Sequence, residues 1–178
     1  MQTTSILAEL IVIGCTALIW CYPVIEKVTE INFSTIMNNS GNIVISLALL
    51  YLLGVIVNFI ADIFFAKFDD KYSNDYGGKE SQQIARTKIL LKSTEATNYM
   101  TIRRSIVRIL RASTFNSIIY SILIFFSMAD PIPKLANLWD GIIFLIITFF
   151  FLMGYRHTLI GYFKFLKLTE ELINADTK

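Results

Sequence analysis

Four long apolar stretches alternate with polar segments along the chain. They cover approximately residues 5–25, 43–65, 112–129 and 138–156. A helix that crosses a bilayer needs about 20 mostly apolar residues, so each stretch reaches or approaches that length. The last is the shortest, because only 15 residues separate Asp140 from Arg156. Inclusion of residues 135–139, or snorkelling of Arg156, makes up the difference. The pattern predicts four membrane spans.

The polar segments also carry helical signals. Residues 67–79 contain Gly77-Gly78 and read as a turn or mobile connector, after which Ser81 is expected to cap a helix from Gln82. From Thr94 no proline or glycine interrupts the chain before the third span ends, which predicts one long helix over about 94–129. The tail is expected to continue helically over about 158–173.

These elements define a fold class and a single domain. We expect an all-α integral membrane four-helix bundle over residues 1–178, with a helical arm at 66–111 and a tail at 157–178. In this arrangement the third and fourth spans extend as helices beyond the membrane. No cation lies in residues 1–5 and no small-residue cleavage site follows, so the first span is expected to be retained.

Lysine and arginine are unevenly distributed among the polar segments. The arm 66–111 holds ten of them against five acidic residues, whereas the segments 23–42 and 130–140 hold one each. Because cationic segments remain on the cytoplasmic side, both termini and the arm are predicted to be cytoplasmic. Trp20, Tyr22 and Trp139 then fall at the opposite interface, where an aromatic belt is expected.

Composition supports the membrane class. The chain is 54% hydrophobic and 17% charged, with a mean hydropathy of +0.57, against about 45–50% and 25% in soluble domains. A disordered protein is thereby excluded. The net charge of +2 gives no overall basic excess that would favour nucleic acid.

The sequence offers no set of residues suited to catalysis. His157 is the single histidine, and Cys15 and Cys21 lie on different faces of the first span. Neither a metal-ligand spacing nor a nucleophile–base–orienter set occurs. We therefore expect a protein that is not an enzyme and that uses no metal or cofactor.

Five ionisable residues are predicted to lie at one depth, near the inner leaflet. They are Glu9, Asp62, Arg108, Arg111 and Arg156. An unpaired charge at that depth is costly, so Glu9 and Asp62 are expected to pair with one or more of the three arginines. The network either fixes helix register or forms a gate or an ion-responsive site.

Polar residues recur every four positions on the second and third spans. The two stripes consist of Gly54, Asn58 and Asp62, and of Ser113, Ser117 and Ser121 with Asn116 beside them. Small and hydroxyl residues favour close helix packing in lipid, although the same stripes could line a narrow wet path. Packing is the preferred interpretation.

The basic residues of the arm suggest a binding surface. Arg103, Arg104 and Arg108 are expected to contact anionic lipid headgroups or an acidic partner. Aromatic residues that would stack nucleic-acid bases are missing there apart from Tyr99. Three functions follow as hypotheses: an anchor or sensor subunit that recruits a soluble partner, an oligomeric pore or permeabilising effector, and a lipid-interacting structural protein.

The layout resembles the small four-span membrane subunits of bacterial anti-phage defence systems, the Kiwa membrane subunit among them. The resemblance lies in the span count, the cytoplasmic termini, and the long helix that carries Ile102-Arg103-Arg104 through Arg111 into the membrane. It implies a homo-oligomer of the inner membrane that detects envelope perturbation and holds a soluble effector on its cytoplasmic face.

Overall fold

The computed structural model describes residues 2–29, 43–125 and 138–175, and all regular structure in these ranges is α-helical. The helices are α1 (Gln2–Thr29), α2 (Ile43–Asp75), α3 (Gly78–Lys92), α4 (Thr94–Phe125) and α5 (Leu138–Ala175). The predicted all-α class is confirmed for this part of the chain. The predicted loops at 30–42 and 130–137, and the end of the third span at 126–129, lie outside the described residues.

Three helices, α2, α4 and α5, are long and apolar enough to cross a membrane, and α1 contains a shorter apolar stretch, Ile6–Tyr22. Many apolar side chains on these helices point outward; Val44 is 77% exposed and Phe150 is 68% exposed. Contiguous apolar surface of this kind is rare on soluble monomers. Length and surface together are those of a helical membrane bundle.

The helices α1 and α2 cross at two glycines that face each other. A Cβ atom on Gly14 would overlap the carbonyl oxygen of Leu50, and a Cβ atom on Gly54 would overlap that of Leu10. Only glycine allows the two backbones to approach so closely. The crossing places Leu10 and Gly14 of α1 beside Leu50 and Gly54 of α2.

The helices α4 and α5 pack antiparallel along almost their whole described length. At one end the rings of Tyr120 and Phe144 lie 4.3 Å apart, and at the other end those of Tyr99 and Phe165 lie 4.7 Å apart. The predicted long helix from Thr94 and the predicted helical continuation over residues 158–173 are both confirmed.

The predicted connector at 67–79 is wrong for most of its length. Helix α2 continues to Asp75, because its residues keep inward-facing positions such as Phe65 and Ser73 beyond the apolar stretch, and no glycine or proline occurs between Gly54 and Gly77. Gly77 has φ +95°, a left-handed conformation that suits glycine, and α3 begins immediately afterwards at Gly78. The predicted helix start at Gln82 is therefore four residues too late.

The part of the bundle beyond the apolar stretches has its own core. We call it the polar end; it comprises the last turns of α2, all of α3, the first half of α4 and the second half of α5. Its buried side chains include Ile89, Met100, Val107, Leu159 and Leu166. Ser93 separates α3 from α4 with extended backbone, and its hydroxyl accepts a hydrogen bond from the Ala96 amide at 3.2 Å.

Candidate functional site

Arg111 forms the centre of a charged cluster at the border of the polar end. This residue is 8% exposed, and its guanidinium contacts Asp62 and donates to Asp69 Oδ2 at 2.9 Å. Asp62 and Asp69 lie seven residues apart, which places both on one face of α2. The Tyr155 hydroxyl of α5 donates to the other oxygen of Asp69. The cluster therefore joins α2, α4 and α5.

A second ion pair joins α1 to α4 at the same level. Arg108 Nη1 lies 3.1 Å from Glu9 Oε1, and the Glu9 side chain is 2% exposed. The second oxygen, Glu9 Oε2, is buried without a hydrogen-bond partner among the described residues. The stability of the fold should depend strongly on Arg108, since loss of this one partner would leave the buried Glu9 charge unpaired, which is costly.

Arg156 does not join these pairs, contrary to the sequence prediction. It is exposed, and its guanidinium lies 5.8 Å from the centre of the Tyr72 ring. The neighbouring Tyr155 takes the inward position instead, because successive residues on an α-helix point about 100° apart. The sequence located the depth of Arg156 and missed its direction.

Asp69 and Tyr155 are members of the cluster that the sequence analysis missed. Asp69 was assigned to a connector, and Tyr155 was counted only as the last apolar residue of a span. The signal available in the sequence was the seven-residue spacing from Asp62, which becomes informative once α2 is known to continue to Asp75. No sequence signal pointed to Tyr155.

One member of each polar stripe region, Asn116 and Gly54, lies in a helix–helix contact. Asn116 donates to Thr16 Oγ1 at 2.9 Å and accepts from Trp20 Nε1 at 3.0 Å, which ties α4 to α1. Gly54 lies at the crossing of α1 and α2. The buried serines of the third span are Ser113, Ser117 and Ser121. These contacts are the kind that the packing interpretation requires. Asn58 is half-buried, and its amide oxygen has no partner among the described residues.

The three arginines proposed as a binding surface point in two directions. Arg103 donates to the Tyr99 hydroxyl at 2.8 Å and lies against the ring of the same residue. Arg104 and Arg108, four residues apart, face a cavity of about 340 Å³ that Arg111 also lines. Arg104, Arg108 and Arg111 therefore share one cavity wall, and Arg103, the remaining member of the predicted binding surface, lies outside it.

Comparisons with known proteins add no relative: no family model, curated protein or solved structure matches the chain. Within the described residues, no group of three or more histidine, cysteine, aspartate or glutamate side chains is placed to hold a metal ion. The chemistry of the site is that of charge pairing. Guanidinium groups, carboxylates and the buried phenols of Tyr155 and Tyr162 lie in and beside one cavity near the border between apolar and polar helix segments.

Proposed function

We propose that this protein is a non-enzymatic membrane subunit that holds a soluble partner against the cytoplasmic face of the inner membrane. In this proposal both termini and the polar end are cytoplasmic, and several copies assemble through their spans. The uneven distribution of lysine and arginine supports the orientation. The resemblance to anti-phage membrane subunits supports a role in detecting disturbance of the envelope.

One observation carries the proposal: the polar end is a packed helical structure and not a connector. From Thr94 to Arg111, α4 extends for 18 residues, a rise of about 25 Å at 1.5 Å per residue. Over this length it packs against α3 and α5. Those two helices are joined in turn by Lys88 on α3 and Glu170 on α5, 3.1 Å apart. A loop that only joins two spans needs none of this structure.

The surface of the polar end leaves apolar side chains uncovered. Leu91 on α3 is 81% exposed and Leu172 on α5 is 67% exposed. Leu172 lies 17 residues beyond Tyr155, so on a helix it is about 25 Å from the charged cluster. At that distance lipid chains do not cover it, which favours a protein partner.

Affinity purification of the native complex in mild detergent, followed by mass spectrometry and a native mass, tests the proposal. We expect a soluble protein in fixed stoichiometry, and its loss from a Leu91→Glu/Leu172→Glu variant. Asn74→Glu is the matched control, since it adds a charge at an exposed position at the end of α2. An assembly that contains only copies of this chain, unchanged by the leucine substitutions, contradicts the proposal and favours the pore hypothesis, which ion flux in liposomes then tests.

A further inference from the structure

The cavity of about 340 Å³ lies where α2, α3, α4 and α5 meet in the polar end. Its volume is at the lower end of the range for small-molecule sites, about 300–1,000 Å³. Charged side chains dominate its wall. They are the cations Lys79, Arg86, Arg104, Arg108 and Arg111 and the carboxylates Asp62, Asp69 and Asp70.

All three carboxylates of the wall are already engaged. Asp62 and Asp69 contact Arg111, and Asp70 lies 2.7 Å from Lys79. Arg108 is paired with Glu9, which stands behind it. Arg86 and Arg104 take part in no ion pair among the described residues. Arg86 and Arg104 are therefore the two wall cations without a carboxylate partner among the described residues. With Glu9 included, the five cations exceed the four carboxylates by one charge.

The same wall holds hydrogen-bond donors without acceptors. Tyr162 is 3% exposed, and its buried hydroxyl has no partner among the described residues. The buried Nε of Arg86 is also without one, and the Arg86 guanidinium lies 5.4 Å from the centre of the Tyr162 ring. Buried donors nearly always have a hydrogen-bond acceptor in folded proteins. Two buried donors without acceptors, beside an excess of positive charge, therefore indicate that an anionic acceptor binds here.

We propose that this cavity binds a phosphate group, which Arg86 and Arg104 neutralise and to which the Tyr162 hydroxyl donates a hydrogen bond. Phosphate oxygens are strong acceptors, and the planar fork of arginine matches their geometry. This inference goes beyond the proposed function. Phosphate binding requires no protein partner, so its test does not depend on whether a partner exists.

The position of the cavity suggests two sources of the phosphate. Asp62 and Arg111 mark the border between the apolar and polar parts of α2 and α4, which is the depth of lipid headgroups. The headgroup of an anionic phospholipid and a soluble phosphate compound both supply the group. Separate probes distinguish them.

Binding is measured on the purified full chain in a neutral detergent. The probes are short-chain phosphatidylglycerol, short-chain phosphatidylcholine as the zwitterionic comparison, inorganic phosphate, and ADP. Saturable binding of phosphatidylglycerol alone supports a lipid headgroup, and saturable binding of phosphate or ADP supports a soluble ligand. Absence of saturable binding for all the anionic probes overturns the proposal.

Three variants tie the binding to the cavity. Arg86→Gln and Arg104→Gln are each expected to weaken binding about tenfold to hundredfold, the usual cost of one charged hydrogen bond. Lys164→Gln removes the same charge from an exposed position that does not line the cavity, and binding should persist. Equal affinity in the arginine variants and the parent contradicts the proposal.

Tyr162→Phe keeps the test decisive if an arginine variant fails to fold. It deletes a hydroxyl that has no partner among the described residues, so the thermal stability of the ligand-free protein should be unchanged or higher. Affinity for the phosphate probe should fall about tenfold. Lower ligand-free stability with unchanged affinity would mean that the hydroxyl serves folding alone, and the proposal would be wrong.

Discussion

Arg111 on α4 lies against Asp62 on α2 at the point where both helices pass from apolar to polar sequence. The same guanidinium also bonds Asp69, about two turns further along the same face of α2. Charges removed from water require partners, and here the partners come from different helices. The cluster therefore joins α2 to α4, and we expect it to fix their register, which is the first of the two alternative roles predicted for these charges.

Replacement of Arg111 is expected to be the most damaging change in the cluster. Arg111→Met leaves Asp69 without its cation beside the buried Tyr155, and breaking a buried pair costs about 3–5 kcal/mol. The midpoint of thermal unfolding in detergent should fall accordingly. Asp62→Leu should cost less, because the Asp62 side chain is 47% exposed and Arg111 keeps Asp69.

A double variant separates charge pairing from packing. Arg111→Met/Asp69→Leu removes both partners, so part of the lost stability should return. If each single variant and the double variant have the stability of the parent, the cluster does not hold α2 to α4.

Asp69 and Tyr155, the two cluster members that the sequence analysis missed, show what a sequence can and cannot predict. The absence of proline and glycine after Thr94 was sufficient to predict α4, since nothing breaks the helix. Asp69 was missed because polar residues at the end of α2 have the composition of a loop. Their helical face becomes evident only through the partners on α4 and α5, which local sequence does not contain.

The position of a residue along a helix does not determine which way its side chain points around that helix. Tyr155 and Arg156 lie at the same level, and Arg103 and Arg104 do as well, yet in each pair one residue faces the cluster or the cavity and the other does not. Neighbours differ by about 100°, so the choice depends on how the helices pack. The sequence alone does not say which member of each pair faces inward.

The crossing of α1 and α2 should not tolerate a side chain. Gly14→Ala would drive its Cβ into the Leu50 carbonyl, and a backbone atom cannot move aside as a flexible side chain can. We expect a loss of about 1–3 kcal/mol or more, seen as a lower unfolding midpoint in detergent. Gly54→Ala should behave in the same way.

Gly161 on α5 provides the matched control for the crossing. A Cβ there would meet only the end of the Arg103 side chain, at 3.7 Å. Gly161→Ala should be neutral or stabilising by about 0.5–1 kcal/mol. The reason is that glycine loses more backbone conformational entropy than alanine when a helix forms. Equal effects of Gly14→Ala and Gly161→Ala would contradict the tight crossing.

Asn116 is expected to link α4 to α1 through its amide. Asn116→Leu removes the acceptor of the Trp20 indole and the donor to Thr16. Interhelical hydrogen bonds in membranes contribute about 0.6 kcal/mol on average, so the loss should be about 1 kcal/mol for two bonds. The emission of Trp20 should shift as its indole loses its partner, measured with Trp139 replaced by phenylalanine. Asn98→Leu, at an exposed position of α4, should leave both readouts unchanged.

The orientation proposed for the bundle predicts which cysteines an impermeant reagent can reach. In a background with Cys15 and Cys21 replaced by alanine, Asn74→Cys and Glu171→Cys lie at exposed positions of the polar end. If the polar end is cytoplasmic, an impermeant maleimide should label both in lysed spheroplasts and neither in intact ones. Asn38→Cys, in the cation-poor segment after the first span, should show labelling in intact spheroplasts. Labelling of Glu171→Cys in intact spheroplasts would reverse the orientation, and a cytoplasmic partner could then not reach Leu91 or Leu172.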